Sequence, residues 1–520
     1  MVNILAIDQS TSATKALLFD AIGVLIDKVS LDHRQIYPQP GWVEHDAEEI
    51  WRNTLAALKT LVERNRDAIQ HVSHLSLANQ RETIVVFERG TGHPVHNAIV
   101  WQCRRGDPVC AELADQNDLV AGKTGLKIDT YFPASKLTWL MRHRPEIARR
   151  LRDGDALAGT IDAYLVHRFT GGRVFATDHT NASRTLLFDI RDLVWDEGLC
   201  SLFEVPCRAL PEVRDTTAHF GETDACGLLP HRVPICGVMG DSQASLFAHR
   251  CFRPGAAKVT VGTGSSVLLN IGPSLRSPGE GAVATIGWTH GKEPTYALEG
   301  IISYSGGTIE WLKNQVGLIR SADETEAAGG SVGDNGGVYL VPAFAGLSAP
   351  YWCPEARGAI VGMSAHSGRA HIIRAALESI GYQVRDVVDM MRDRAGIDVR
   401  LLHADGGATR NALLMQFIAD LTGLELCAAR IAECSPLGAA LAGALGMGVH
   451  GSLEAIGSLP RGPGDVAVYR PKMAPAEVER LYAGWRSAVK QVLAGATPRS
   501  DTAGTTAGDS VHAPQAPIGR

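Results

Sequence analysis

The sequence predicts an α/β protein of two related domains facing each other across a cleft, and three observations carry that reading. Strand-like and helix-like segments alternate along the chain, the pattern of layered α/β architecture. At 520 residues the chain is too long for one hydrophobic core. A polar hairpin near the N-terminus is also echoed by a second one in mid-chain, one per half, with a boundary near residue 250.

The first hairpin begins with the apolar run Ile4-Leu5-Ala6-Ile7, which ends in Asp8. A turn crowded with hydroxyls and closed by Lys15 leads into Ala16-Leu17-Leu18-Phe19. Its tip offers backbone N–H groups, hydroxyls and one cation to an anion. Asp8 beside such a cradle is where a Mg²⁺ holding nucleotide oxygens would sit. A polar hairpin tip with no ligand is the competing reading. Next, Asn79-Gln80-Arg81-Glu82-Thr83 separates the apolar run 75–78 from Ile84–Phe87, which reads as a strand. It is either a solvated charged turn or a donor and acceptor pair for neighbouring hydroxyls of a polyol. Trp101 and Tyr131 are either core aromatics or the wall of a small pocket.

Gly122-Lys123-Thr124 imitates the end of a phosphate-binding P-loop, but Asn117 stands where the first Gly is required, which excludes that motif. A second acidic turn, Val238-Met239-Gly240-Asp241-Ser242-Gln243, ends an apolar strand and opens a helix. Asp241 reads either as a helix N-cap or as a general base for a substrate hydroxyl. The mid-chain hairpin is the strand Lys258–Val261, the tip Gly262-Thr263-Gly264-Ser265, and the run Ser266-Val267-Leu268-Leu269. Its glycines permit close approach to phosphates. Val338–Val341 reads as a further strand, and 371–391 as a helix with Ile373, Leu377, Ile380, Val384, Val387 and Met391 on one face. Asp405-Gly406-Gly407 then leads through Asn411 into a helical run at 413–421, either a tight turn or a resting place for an adenosine. The Gly- and Ala-rich stretch 437–449 is too short to span a membrane and reads as a tightly packed internal helix. From about 495 to 520 the composition cannot bury a core, and a flexible tail is expected.

Hydrophobic residues at 45% and charged residues at 20% describe an ordinary soluble chain, and a net charge of −6 argues against a nucleic-acid binder. Ten scattered cysteines without a C-x-x-C pair indicate neither a zinc cluster nor a disulfide framework. With no secretory signal visible, a cytoplasmic protein with no membrane insertion is expected.

Taken together, these residues resemble the FGGY carbohydrate kinases, and within them the glycerol kinases. The resemblance runs over nearly the whole chain apart from the tail, and includes the segments 37–46, 97–105, 180–185 and 341–347. It implies two ribonuclease-H-like domains of the actin and hexokinase type around an interdomain cleft, at 1–250 and 251–494, followed by the tail. It implies ATP-dependent phosphorylation of a small polyol, glycerol foremost, with Mg²⁺. Asp241 matches the catalytic base, and Asp8 with Asp241 the metal site. Arg81, Glu82, Trp101, Tyr131, Asp241 and Ser242 match the polyol contacts. Thr11, Ser12, Ala13, Lys15, Thr263, Gly306, Glu310, Gly407 and Asn411 match the nucleotide contacts, with Glu310 where a Gln is more usual. A homo-oligomer is implied by the family alone.

Departures matter as much. Ser242 stands where these kinases usually carry Gln, and Ser266 where they usually carry Phe. Two small residues should enlarge and polarise the pocket, so a kinase for a four- or five-carbon polyol is the alternative. The segment 225–232 loses most glycines of the loop that binds a sugar bisphosphate inhibitor in some relatives, and such inhibition is expected to be absent or weak. A chaperone-like or filament-forming ATPase of the same superfold is the rival from another class.

Overall fold

The computed structural model describes residues 2–276, 281–430, 433–462 and 464–496. Its two large sheets share one plan. The N-terminal sheet has six strands in the order His219–Thr223, Val233–Gly240, Val72–Asn79, Asn3–Gln9, Ala13–Asp20, Leu25–Asp32. Asn3–Gln9 and Ala13–Asp20 form the expected antiparallel hairpin, with Asp8 opposite Lys15. On the other flank Val72–Asn79 and Val233–Gly240 add in parallel, and His219–Thr223 closes the edge antiparallel.

The C-terminal sheet repeats the theme with seven strands: Val283–His290, Glu293–Ile302, Ser265–Gly272, Ala256–Val261, Leu401–Asp405, Glu425–Ala429, Val466–Tyr469. Again an antiparallel hairpin (Ala256–Val261 with Ser265–Gly272) is flanked by two parallel strands and an antiparallel edge. The near-continuous apolar runs at the centre of each sheet are what strands covered on both faces require. Ile4, Leu5, Ala6 and Ile7 are fully buried, whereas the outer strand Leu25–Asp32 alternates between exposed residues and half-buried ones, with Val29 alone buried.

The expected long helix runs over Arg369–Ala395, and all six of its periodic apolar residues are buried. The strand expected at 338–341 forms as Tyr339–Val341, paired with Ala359–Val361. The strand expected at Ile84–Phe87 forms as Ile84–Glu88, in a small four-stranded sheet with Glu44–His45, Ala98–Ile99 and Ala156–Thr160. It carries the segment that presents Trp101.

The Gly- and Ala-rich stretch is the helix Cys434–Gly446, which packs against the N-terminal sheet and against the helix Asp241–Ala248. Its glycines set the spacing. A Cβ on Gly438 would collide with the carbonyl oxygen of Ala244, and one on Gly443 would lie 2.6 Å from the carbonyl oxygen of Cys236. Backbones approach here as no larger residue allows. Among the described residues no helix is long and apolar enough to cross a membrane. Of the expected tail, 497–520 lies outside the described residues.

Candidate active site

The loop Asn79–Thr83 is buried, which removes the solvated-turn reading: Arg81 is 5% and Glu82 1% exposed. Glu82 adopts φ +60°, a left-handed conformation uncommon for a side chain of this size, and the burial of its neighbours enforces it. Arg81 reaches across the cleft to the C-terminal sheet. Its Nη2 donates to Glu299 Oε1 at 2.8 Å, and its Nη1 donates to Glu299 Oε2 and to Gln243 Oε1, both at 3.2 Å. Its Nε lies 3.5 Å from Asp241 Oδ1 and 3.6 Å from Glu82 Oε1.

Arg184 completes the cluster, donating from Nε to Glu82 Oε1 at 2.6 Å and pairing through Nη1 with Glu299 Oε2 at 2.7 Å. Two cations thus balance two carboxylates, as buried charge demands. Burial alone would raise Glu299, yet Arg184 and Arg81 hold it well below the usual carboxylate range.

Asp241 stands at the rim of this cluster. The strand Val233–Gly240 ends at Gly240, where a Cβ would lie 2.7 Å from Arg81 Cγ; glycine here lets the Arg81 stem cross the strand end. Gly240 is the N-cap of the helix Asp241–Ala248, so Asp241 is its first residue and not its cap. Its side chain is 39% exposed to the cleft. Burial raises its pKa, with Arg81 the principal restraint.

At the first hairpin tip Ser12 is exposed, Thr11 half-buried and Ala13 buried. Trp101 Nε1 donates to Thr11 Oγ1 at 3.0 Å, and the rings of Trp101 and Tyr131 lie 5.3 Å apart, both half-buried at the edge of the small sheet's core. Lys15 points back to Glu433 at 2.8 Å and Asp8 at 3.3 Å. Burial raises Asp8 to about 6; Lys15 pulls it down, while Glu433 and Asp241 push it up. Two neighbouring carboxylates that disfavour one another's charge make a donor set that fits a hard divalent cation such as Mg²⁺.

The second tip is a backbone cradle. Ser305 N and Gly307 N donate to Thr263 O at 2.9 Å, and Gly306 N donates to Gly262 O at 2.8 Å. Thr263 itself is exposed. Gly406 adopts φ +93°, which seats the strand end of Leu401–Asp405 against Val261, and Gly407 opens a short 3₁₀ turn. Asn411 caps the helix Ala412–Thr422, accepting from Leu414 N at 2.9 Å. Glu310 is solvent-facing and binds Lys313 Nζ at 2.9 Å. Lys123, in the excluded P-loop imitation, lies in the last turn of a helix and pairs with Asp196.

The structure therefore brings Asp8, Arg81, Glu82 and Asp241 together, with Trp101, Tyr131 and Ser242 around them. Arg184, Glu299 and Gln243 were not singled out from the sequence. The signal for Glu299 was there: one acid inside the apolar strand Ala297-Leu298-Glu299-Gly300-Ile301-Ile302 has to be paired.

Residues 3–248 match the N-terminal domain and residues 257–447 the C-terminal domain of the FGGY family of carbohydrate kinases. Glycerol kinase of Desulfitobacterium hafniense is 43% identical over 94% of this chain and 99% of its own. That of Symbiobacterium thermophilum is 45% identical over 94% and 98%. The crystal structure of Plasmodium falciparum glycerol kinase with ADP superposes with a TM-score of 0.88 at 35% identity, over 95% of this chain and 98% of that one. A ligand-bound xylulose kinase from Lactobacillus acidophilus reaches a TM-score of 0.85 at 19% identity, covering 95% and 99%, and shares the fold.

Proposed function

The chain belongs to the FGGY family of carbohydrate kinases, and from that footing we propose that it transfers the γ-phosphoryl group of ATP to a terminal hydroxyl of glycerol. The observation that carries this reading is the buried Arg81–Glu82 pair set against the cleft-facing Asp241. The relatives' names point the same way.

Glycerol would place its outer hydroxyls against Arg81 and Glu82, with Trp101 and Tyr131 walling its carbon chain. Asp241 takes the proton from the reacting hydroxyl as that oxygen attacks the γ-phosphorus and ADP leaves; positioning and electrostatics supply most of the rate. Asp8 and Asp241 would hold Mg²⁺, which when bound neutralises phosphate charge. Thr11, Ser12, Ala13 and Lys15 on one side, and Thr263, Gly306, Glu310, Gly407 and Asn411 on the other, would embrace the nucleotide. Residues 1–250 then carry Asp8, Asp241 and the polyol loop, and 251–494 the glycine cradles.

A second reading rests on a specific contact. Ser266 Oγ donates to Glu299 Oε1 at 2.7 Å, the same oxygen that Arg81 Nη2 binds. A small hydroxyl in that position, with Ser242 next to Asp241, gives a roomier and more polar site suited to a longer polyol. A coupled ADP-release assay decides, comparing glycerol, erythritol, the threitols, xylitol and dihydroxyacetone by kcat/KM. A glycerol lead of about tenfold, or ~1.4 kcal/mol of transition-state binding, supports the first reading. A lead for a longer polyol supports the second, and ADP release unmoved by any polyol overturns both.

A further inference from the structure

Three side chains that phosphoryl transfer does not use converge behind the Gly406-Gly407 turn. His249 is the C-cap of the helix that starts at Asp241. Asp405 ends the strand Leu401–Asp405, and Cys434 begins the helix Cys434–Gly446. One nitrogen, one carboxylate oxygen and one sulfur of the three lie within 4.8 Å of one another. All three residues are more than nine-tenths buried.

His249 Nε2 is 3.1 Å from Asp405 Oδ2. Tetrahedral Zn²⁺ with bonds of about 2.0–2.3 Å separates its ligands by roughly 3.3–3.6 Å, so the set needs only small side-chain rotations to close on an ion. Further observations point to a ligand. Asp405 Oδ1 is buried and has no hydrogen-bond partner among the described residues, and the same holds for His403 Nδ1. The His403 ring lies 5.1 Å from that of His249, which makes it a further donor close to the set. The Ser245 hydroxyl donates to Asp405 Oδ2 and fixes the carboxylate from behind, as outer partners do in metal sites. Lys258 and Arg461 lie near enough to act on the cluster, and their charge opposes a cation. The carboxylate and a thiolate together offset it.

We propose that His249, Asp405 and Cys434 form a binding site for a borderline-soft divalent cation of the Zn²⁺ class, with His403 or water as the fourth ligand. A thiol, an imidazole and a carboxylate suit Zn²⁺ or Co²⁺, whereas Mg²⁺ would not select sulfur. On binding, the Cys434 thiol proton leaves to solvent and the sulfur pair bonds to the metal. The ion would then tie the helix bearing Asp241, the strand leading to Gly406 and the helix lying on the N-terminal sheet.

The test uses the full chain, stripped with chelator and desalted, then titrated with Zn²⁺ against a chromophoric chelator and separately with Co²⁺. One Zn²⁺ per chain is expected, and Co²⁺ should give the near-ultraviolet thiolate-to-cobalt band of a tetrahedral site. Cys434→Ser should abolish that band. His249→Gln should keep it at full loading while weakening affinity by about tenfold or more. Cys236→Ser, at another buried thiol, should change neither. Absence of stoichiometric binding by the folded native chain overturns the proposal, as does a cobalt band that survives Cys434→Ser. Should Cys434→Ser fail to fold by thermal melt, unchanged Zn²⁺ affinity in His249→Gln is the overturning result.

Discussion

The two hairpin tips face the cleft from sheets of one topology, yet they are built from different chemistry. In the N-terminal tip Asp8 sits opposite Lys15 across the hairpin, and Asp241 stands nearby at a parallel strand end. In the C-terminal tip Thr260 sits opposite Ser266, and the loop between is Gly262-Thr263-Gly264, held by N–H groups from Ser305, Gly306 and Gly307. The repeated fold supplies two backbone cradles, and side chains divide the labour between them. The tip with carboxylates can move protons and hold a cation; the tip with glycines can only bind and position. The Arg81 and Arg184 pairs to Glu299 join the two across the cleft.

That division predicts opposite kinetic signatures. Asp241→Asn keeps the shape of the acidic side while removing its base. It should lower kcat by about 10²–10⁴-fold with nucleotide affinity nearly intact, measured by ADP release and by nucleotide titration. Gly406→Ala places a Cβ in a left-handed position against the Val261 carbonyl. It should raise the KM for ATP by up to about 10²-fold while sparing kcat more. If the two variants exchanged signatures, the division of labour assigned to the halves would be wrong.

The cluster between the halves should register chiefly in stability. Arg184→Met leaves Glu82 without its 2.6 Å partner and strips Glu299 of one of two cations. Orphaning buried charge in this way costs about 3–5 kcal/mol, readable in denaturant melts. A loss below about 1 kcal/mol would mean that water reaches the cluster and that it does not hold the halves together.

Much of this was legible in the sequence where local pattern and tertiary role coincide. Both hairpins, the long helix with its apolar face and the close-packed Gly/Ala helix announce themselves by periodicity and composition. Asp8 and Asp241 were legible because a carboxylate at the end of an apolar strand is unusual. The Arg81–Glu82 loop remained ambiguous because burial depends on what covers it, and the cover comes from Glu299 and Arg184, more than a hundred residues away. Arg184 reads as one cation in a polar run. Of the small four-stranded sheet only the strand at Ile84–Phe87 was legible, because two of its other strands are only two residues long, too short for any period to show. Asp241 as first helical residue instead of cap turns on one residue of backbone geometry that sequence cannot fix.

The smallest predicted effect separates stability from function at the acidic tip. Burial raises the Asp8 pKa from 3.8 to about 6, so the folded state disfavours its charge. In the unfolded chain Asp8 ionises near the ordinary value, so above about pH 6 it subtracts from stability, by at most about 3 kcal/mol, and below about pH 4 it subtracts nothing. Stability attributable to this site is therefore lost as pH rises from about 4 to about 6. Asp8→Asn removes the penalty. It should raise the melting temperature of the cation-free protein at about pH 7.5, show no advantage at about pH 4, and reduce turnover. Mg²⁺ with nucleotide should stabilise the native protein more than the variant, because a cation at Asp8 favours the ionised carboxylate that burial penalises. A variant less stable at about pH 7.5 would show that the Lys15 contact outweighs burial. The acidic tip would then be a structural ion pair, and the contrast between the two cradles would lose its chemical half.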